Sequence, residues 1–349
     1  MERKTYSVKE LISRIFPYFK PYKRTLFFDL FCAALTTVCE MVLPMIIRQI
    51  TNTAIADVAQ LTVKTVLNLG LLYFVLRVTD SFANYYMANT GHVMGAKIET
   101  DMRRNAYAHL QRLSDSYYNN TKIGQIMGRI TNDLFDITEF SHHCPEEFFI
   151  AFIKITVSFI ILARINVWLT LLVFMFVPIM TIVCRIINKK MRKAFSEQRY
   201  QIGELNANIE DSLLGQKVVK AFANEDMENA KFDEGNREFL RIKKYSYKIM
   251  GLFQTSTRVF DGLMYLTVLV GGGLFLIARR IQPGDMVAYV MFVSTLIATI
   301  RRIIEFAEQF QRGMTGIERF LQIMDADIEI FDDPDAEEME EPQGNIEFK

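Results

Sequence analysis

The sequence predicts an all-α membrane protein, built from six long helices that cross the bilayer and extend into the cytosol. Three observations carry this reading. Half of the 349 residues are hydrophobic, with 28 Phe and 18 Met, yet 23% are charged, as expected when apolar spans alternate with strongly polar segments. Six apolar stretches reach the length of about 20 residues that a bilayer crossing needs. Prolines are absent between Pro44 and Pro145 and again between Pro178 and Pro283, and each gap holds an entire long loop. A buried soluble helix explains any one apolar stretch, but six in one chain argue for a membrane.

Taken in order, residues 1–24 form a basic, amphipathic segment, "VKELISRIFPYFKPYK" at its centre, with no small-residue cleavage site of a signal peptide. The spans follow as Thr25–Ile50, Leu61–Ala88, Phe140–Ala163, Val167–Ile187, Ile249–Ala278 and Asp285–Phe306. Arg164–Ile165–Asn166 joins the third to the fourth. "RRIQPGD" joins the fifth to the sixth, where Pro283–Gly284 turns the chain and Asp285 is expected to cap the next helix. Lys and Arg gather on the N-terminus and the two long loops, so the positive-inside rule places those loops and both termini in the cytosol. Trp168 falls beside a short connection, at the outer interface. Cys32, Cys39, Cys144 and Cys184 have neither disulfide spacing nor a CxxC. Forty basic residues balance forty acidic ones, which leaves no global field for a nucleic acid.

The two long loops carry helix formers and apolar periodicity, as in "MRRNAYAHLQRL" and "ANIEDSLLGQKVVKAF". A proline-free helix can leave the membrane, turn in the cytosol and return. Extensions of 20–25 residues reach roughly 30–40 Å beyond the bilayer, and such hairpins build a moving part or a docking surface. Two turn regions fit their tips: "SYYNNTKIGQ" (Ser116–Gln125) and "NIEDSLLGQ" (Asn208–Gln216). Tyr117, Tyr118 and Leu213 are the expected apolar anchors of a docking face.

Ionisable residues inside spans are costly and are functional candidates by default. They are Asp29, Glu40, Arg77, Asp80, Lys154, Arg258, Asp261, Arg301, Arg302 and Glu305. Arg77/Asp80 and Arg258/Asp261 stand at i,i+3, close enough to pair on one helix. Arg301 and Arg302 have only Glu305 nearby, with snorkelling to headgroups as the competing reading. Glu40 and Lys154 have no helical partner and lie deep, which suits a polar feature in a translocation cavity. "SHHCPEEF" offers His142, His143, Cys144 and Glu146 as metal ligands. Adjacent histidines are expected on different helix faces, however, and Pro145 marks a bend, so a polar helix entrance without a metal is the reading preferred here. Gly91 and Gly95 form a G-x-x-x-G for close helix approach, and Gly271–Gly273 suits local bending.

At this point the residues resemble a known family, the transmembrane domain of type IV ABC transporters, of the exporter half-transporter kind. "SYYNNTKIGQIMGRITND" is similar to the family's first coupling segment, through Tyr118, Gly124, Ile126, Arg129, Ile130, Asn132 and Asp133; Gly128 departs from the usual Ser. "EDSLLGQKVVKAFANEDMENAKF" is similar to the second, through Glu210, Gly215, Val219, Lys220, Phe222, Glu225 and Phe232. "GMTGIERFLQIMD" resembles the end of the sixth helix, with Gly316, Arg319 and Asp325. The resemblance covers about residues 8–349.

The resemblance implies a domain plan: an elbow at 1–24, the six-helix domain at 25–313, a helix end and acidic linker at 314–343, and at 344–349 the start of a nucleotide-binding domain whose first strand reads Gly344-x-Ile346-x-Phe348. It implies a domain-swapped dimer with a second half-transporter, as homodimer or heterodimer. Tyr117, Tyr118, Asn119, Asn120, Lys122, Gly124, Glu210, Asp211, Leu213 and Gly215 would couple to the ATPase domains. Glu40, Arg77, Lys154, Arg258, Asp261 and Arg301 would serve a substrate cavity. No G-x-x-x-x-G-K-[ST] occurs in the chain, so it is expected to bind no cofactor and hydrolyse no ATP alone; ATP and Mg would enter through the missing domain, which would make the full-length protein an ATP-hydrolysing translocase. The implied role is a multi-pass subunit in a bacterial inner membrane that exports a drug, lipid or peptide by alternating access. Two alternatives stand beside it: a membrane sensor or scaffold signalling through its hairpins, and a secondary transporter using Glu40 and Lys154.

Overall fold

The structure, a computed structural model, describes residues 6–331 together with 335, 336, 344 and 347. Among these, every regular element is helical. The α-helices are α1 (Val8–Phe19), α2 (Lys23–Ala56), α3 (Val63–Tyr86), α4 (His92–Leu110), α5 (Asp115–Asn120), α6 (Ile123–Gly128), α7 (Leu134–Ile165), α8 (Val167–Phe174), α9 (Phe176–Leu214), α10 (Gln216–Ala221), α11 (Glu225–Ile277) and α12 (Pro283–Met324). Single π-helical turns, Met87–Gly91 and Arg129–Asp133, join α3 to α4 and α6 to α7. Six helical runs in the described residues are long and apolar enough to cross a membrane: Val8–Ala56, Val63–Leu110, Ile123–Ile165, Val167–Leu214, Glu225–Ile277 and Pro283–Met324. Each of the six expected spans matches one run, with only Leu61–Thr62 and Ala278 falling outside theirs, and the runs continue well beyond the spans at one end or both. Ile346 and Phe348, expected to open a strand, lie outside the described residues.

The chain forms two compact units. One comprises Met1–Ala33, Phe82–Glu147 and Phe306–Lys349; the other comprises Ala34–Ser81 and Phe148–Glu305.

In the first unit, α1 begins where the Ser7 hydroxyl accepts from the backbone N–H of Glu10 at 3.3 Å, which satisfies one of the helix's free donors. Its apolar stripe, Leu11 and Ile15, is buried with Met94, Ile98, Ile317 and Phe320, worth about 1.5–3 kcal/mol per large side chain removed from water. The charged stripe is used as well. Asp325 accepts from both Arg14 guanidinium nitrogens, at 2.6 and 2.5 Å, and from the Tyr6 hydroxyl at 2.9 Å. Burial, together with that bond to a carboxylate, pushes the Tyr6 phenol up to about 12. α4 runs antiparallel to α7, since Gly95 meets Thr138 while Arg103 donates to the Ile130 carbonyl at 3.0 Å. Gly313 and Gly316 let α12 lie against α7: a Cβ would stand 2.1 Å from Phe140 at the first and 2.9 Å from the Asp133 carbonyl at the second. Arg319 then reaches Asp133 at 3.2 Å.

In the second unit the core gathers Leu162, Leu169, Met264, Val268, Phe292 and Leu296 around Tyr289. The Tyr289 hydroxyl is buried and lies 2.8 Å from the Asn166 carbonyl, 3.0 Å from the Leu162 carbonyl and 2.8 Å from the Thr170 hydroxyl. It thereby serves carbonyls left over at the end of α7. Asp285 caps α12 from inside its first turn rather than from the position before it. The helix begins at Pro283, the preferred first position for proline, and Asp285 reaches back to accept from the Gln282 N–H at 2.7 Å, as in a capping box. It also holds Arg48 at 2.5 Å and Asn52 at 3.2 Å. α8 and α9 part at Met175, because the Pro178 ring removes a donor and crowds the carbonyl four residues earlier. α9 and α11 form an antiparallel hairpin: Ser246 donates to the Ala194 carbonyl at 3.1 Å, Gly235 faces Leu205, and Ser212 bonds Glu228. Gly271–Gly273 do not interrupt α11; Gly271 and Gly272 instead pack close to Leu169.

Candidate functional site

The first hairpin tip is built from the breaks around α5. Tyr117 is 6% exposed and packs with Leu110, Leu113, Ile126 and Ile323, and burial raises its phenol pKa. The Tyr118 hydroxyl donates to the Leu110 carbonyl at 2.6 Å. The segment after α12 covers this tip, with His109 bonding the Ala326 carbonyl at 3.0 Å and Ser114 bonding Glu329 at 2.5 Å. The expectation that Tyr117 is a docking anchor is therefore corrected: the ring is spent inside the tip. Asn119, Asn120, Lys122 and Gly124 are exposed, and the apolar side chains facing outward are Ile123 (65%) and Met127 (59%), which the sequence reading did not select.

The second tip comes later than expected. Asn208–Leu214 stays helical, with Asp211 exposed and Ser212 half-buried and bonded to Glu228, and the chain breaks first at Gly215. α10 follows, and Ala223 takes φ +50° to turn the chain into α11. Glu210 and Asp211 are exposed, as is Leu213 at 66%. Leu214 (79%), Val218 (62%) and Phe222 (74%) extend the same apolar surface. Their spread over the end of α9, the break at Gly215, the short α10 and the residue after it hid them, since no single helix carries the set.

Six of the ionisable residues of the spans form three pairs, and two of these pairs join different helices. Lys154 on α7 reaches Glu40 on α2 at 2.6 Å, so each has the partner that its own helix lacks. Arg77 and Asp80 pair at 2.9 Å along α3. Asp261 bonds Arg301 on α12 rather than its neighbour Arg258, which corrects the expected i,i+3 pair and also the reading of Arg301 as partnered only by Glu305. Its second oxygen is buried with no hydrogen-bond partner among the described residues. Arg258, Arg301 and Glu305 share with Phe195, Met250 and Phe253 the walls of a cavity of about 530 Å³. The wall thus sets two guanidinium groups and one carboxylate beside Met and Phe, with Arg301 bound to Asp261.

The "SHHCPEEF" segment also differs from expectation. α7 runs through Pro145, and the adjacent His142 and His143 rings meet, with centroids 4.7 Å apart.

The model of the ABC transporter transmembrane region matches residues 26–300. The chain is 34% identical over 340 residues to the uncharacterized ABC transporter ATP-binding protein YwjA of Bacillus subtilis, covering 97% of this chain and 58% of that one. It is 23% identical over 346 residues to YgaD of B. subtilis, whose name carries the words "multidrug export ATP-binding/permease protein", covering 97% and 59%. The same words name a Staphylococcus aureus relative 26% identical over 347 residues, with coverage of 97% and 59%. The chain thus spans somewhat under two thirds of the length of these relatives.

Proposed function

The chain belongs to the ABC transporter transmembrane region family, and from that premise we propose that it is the membrane part of an ATP-driven exporter working by alternating access. The observation that carries the reading is the pair of helical hairpins ending in tips of different chemistry, the second with an exposed apolar surface from Leu213 to Phe222. That surface suits a groove on a nucleotide-binding domain, because an apolar cluster rimmed by Glu210, Asp211, Lys217 and Lys220 has the make-up of an interface centre and its rim. ATP and Mg act on that partner domain. The cytosolic side is the one bearing the tips, where basic residues collect, in the inner membrane of a bacterium, and the protein works as a dimer with an identical or related copy.

The cargo is an amphipathic molecule with an acidic group. The cavity bearing Arg258 and Arg301 supports this, since planar guanidinium groups pair well with carboxylate or phosphate and the Met and Phe walls accommodate varied apolar shapes. The words "multidrug export" in the names of two relatives support a drug-like cargo, without bearing on its charge. Glu40–Lys154 and Arg77–Asp80 are read as ion pairs that hold helices or helix faces in place rather than as cargo contacts.

The test is ATP hydrolysis by the full-length protein in liposomes, screened against amphipathic anions, cations and neutral compounds. We expect stimulation by anions, a raised KM for the stimulating compound in Arg258→Ala, and loss of stimulation in Phe222→Ala. Hydrolysis indifferent to every compound and to both changes would favour the sensor or scaffold reading.

A further inference from the structure

Three of the four histidines of the chain meet at one place in the first unit. The His92 ring lies 5.2 Å from that of His142 and 4.8 Å from that of His143. One potential ligand atom from each of these three lies within 4.8 Å of the others, and the same holds for Asp29, His142 and Glu146. His142 is common to both sets.

The interior of this cluster is unsatisfied. Asp29 is fully buried, and neither carboxylate oxygen has a hydrogen-bond partner among the described residues; nor does Nδ1 of His142, which is 4% exposed. Within the cluster the facing atoms stand close to one another without a hydrogen bond between them. His142 Nδ1 stands 3.6 Å from Asp29 Oδ2, His142 Nε2 stands 3.8 Å from Glu146 Oε2, and His143 Nδ1 stands 4.0 Å from the same oxygen. These separations exceed a hydrogen bond. They approach the spacing of roughly 3.3–3.5 Å between donors that share a tetrahedral ion at about 2.0–2.2 Å. Leaving a buried carboxylate unserved costs several kcal/mol on general grounds, and a cation would remove that cost.

The backbone is shaped to admit the cluster. A Cβ on Gly91 would fall 2.3 Å from the His142 ring and 2.8 Å from Asp29 Oδ1. Gly91 ends the π-helical turn Met87–Gly91 that aims His92, and π-turns recur at functional positions. On α7, His142 and Glu146 stand at i,i+4 and His143 and Glu146 at i,i+3, so all three share a face. His92 is exposed and provides an entry side.

We propose that Asp29, His92, His142, His143 and Glu146 form a binding site for a divalent first-row transition ion such as zinc. Imidazole nitrogens mixed with carboxylate oxygens suit zinc and its neighbours, whereas magnesium and calcium take oxygen donors throughout. The ion would join α2, α4 and α7.

The test uses the full-length protein, purified in detergent with its affinity tag removed, loaded with Zn²⁺ or Co²⁺ and dialysed. We expect about one zinc per chain by elemental analysis, intense visible ligand-field bands with Co²⁺, and a metal-dependent rise in Tm. His142→Ala should abolish all three, and His109→Ala, at the remaining histidine, should leave them intact. Because His142→Ala alters a buried position, His92→Gln provides the second variant: it should keep the Tm of the metal-free protein and bind Co²⁺ at least about tenfold more weakly, as loss of one ligand requires. Wild-type protein that retains no metal, or metal retained equally by wild type, His142→Ala and His92→Gln, would overturn the proposal.

Discussion

The two hairpin tips share one grammar in the sequence and opposite fates in the structure. At the first, the aromatic pair turns inward: Tyr117 is buried and Tyr118 is tied to the Leu110 carbonyl. At the second, Leu213, Leu214, Val218 and Phe222 face outward. The difference arises from what covers each. The end of α12 and the residues after it lie over the first tip, through Ile323, Ala326 and Glu329. Among the described residues, the second tip carries only its own α9–α10–α11 packing, including the Ser212–Glu228 bond. A turn rich in Asn, Thr and Gly therefore does not reveal whether its apolar residues are structural or available; a segment hundreds of positions away decides that.

The largest test of this contrast is Tyr117→Ala. It should cost about 3–5 kcal/mol, as truncation of a buried aromatic does, and lower the Tm in detergent, whereas Phe222→Ala should stay within about 0.5 kcal/mol. Equal losses would erase the distinction. Next comes function: Leu214→Ala with Phe222→Ala should reduce substrate-stimulated hydrolysis roughly 30-fold, the effect of removing about 2 kcal/mol from a docking face, with no change in Tm. Retained stimulation would show that the second tip docks nothing. A smaller effect is expected for Tyr118→Phe, which deletes one hydrogen bond and should cost about 1 kcal/mol, without a change in coupling. Smallest is an alkaline effect confined to the first tip. Tyr6 holds Asp325, beside the covering segment, and its phenol is raised from 10.0 to about 12. A raised acid contributes stability in its neutral form, present below pH 10 and lost as pH climbs through about 12. Hydrogen exchange at 323–329 should therefore gain extra pH dependence over that range in wild type but not in Tyr6→Phe, while residues 213–222 show no difference.

The six spans and both hairpins were legible because they depend on local properties: apolar length, proline spacing and helix formers. The amphipathic elbow was equally plain, since Leu11 and Ile15 recur at helical spacing. What stayed hidden was pairing between distant segments. The i,i+3 rule sees Asp261 beside Arg258 but not Arg301 forty positions on, and it leaves Glu40 and Lys154 without partners that tertiary packing supplies. The imidazole cluster was hidden for the same reason: "SHHCPEEF" holds two of its histidines, but Asp29 and His92 arrive from other helices. The second tip lies later than the sequence suggests because Asp211 and Ser212 look like helix breakers, yet their propensity cost is too small to end a long helix, and Ser212 bonds Glu228.

Helix α11 has 53 residues, which at 1.5 Å per residue makes a rod about 80 Å long. Rods trade angle for distance. A tilt of roughly 5° about one end carries the other about 7 Å, more than one helical turn. Since Gly271–Gly273 leave α11 unbroken, the gearing is set by its whole length, and shortening the hairpin by two turns on each side would reduce the stroke in proportion while leaving the tip chemistry untouched.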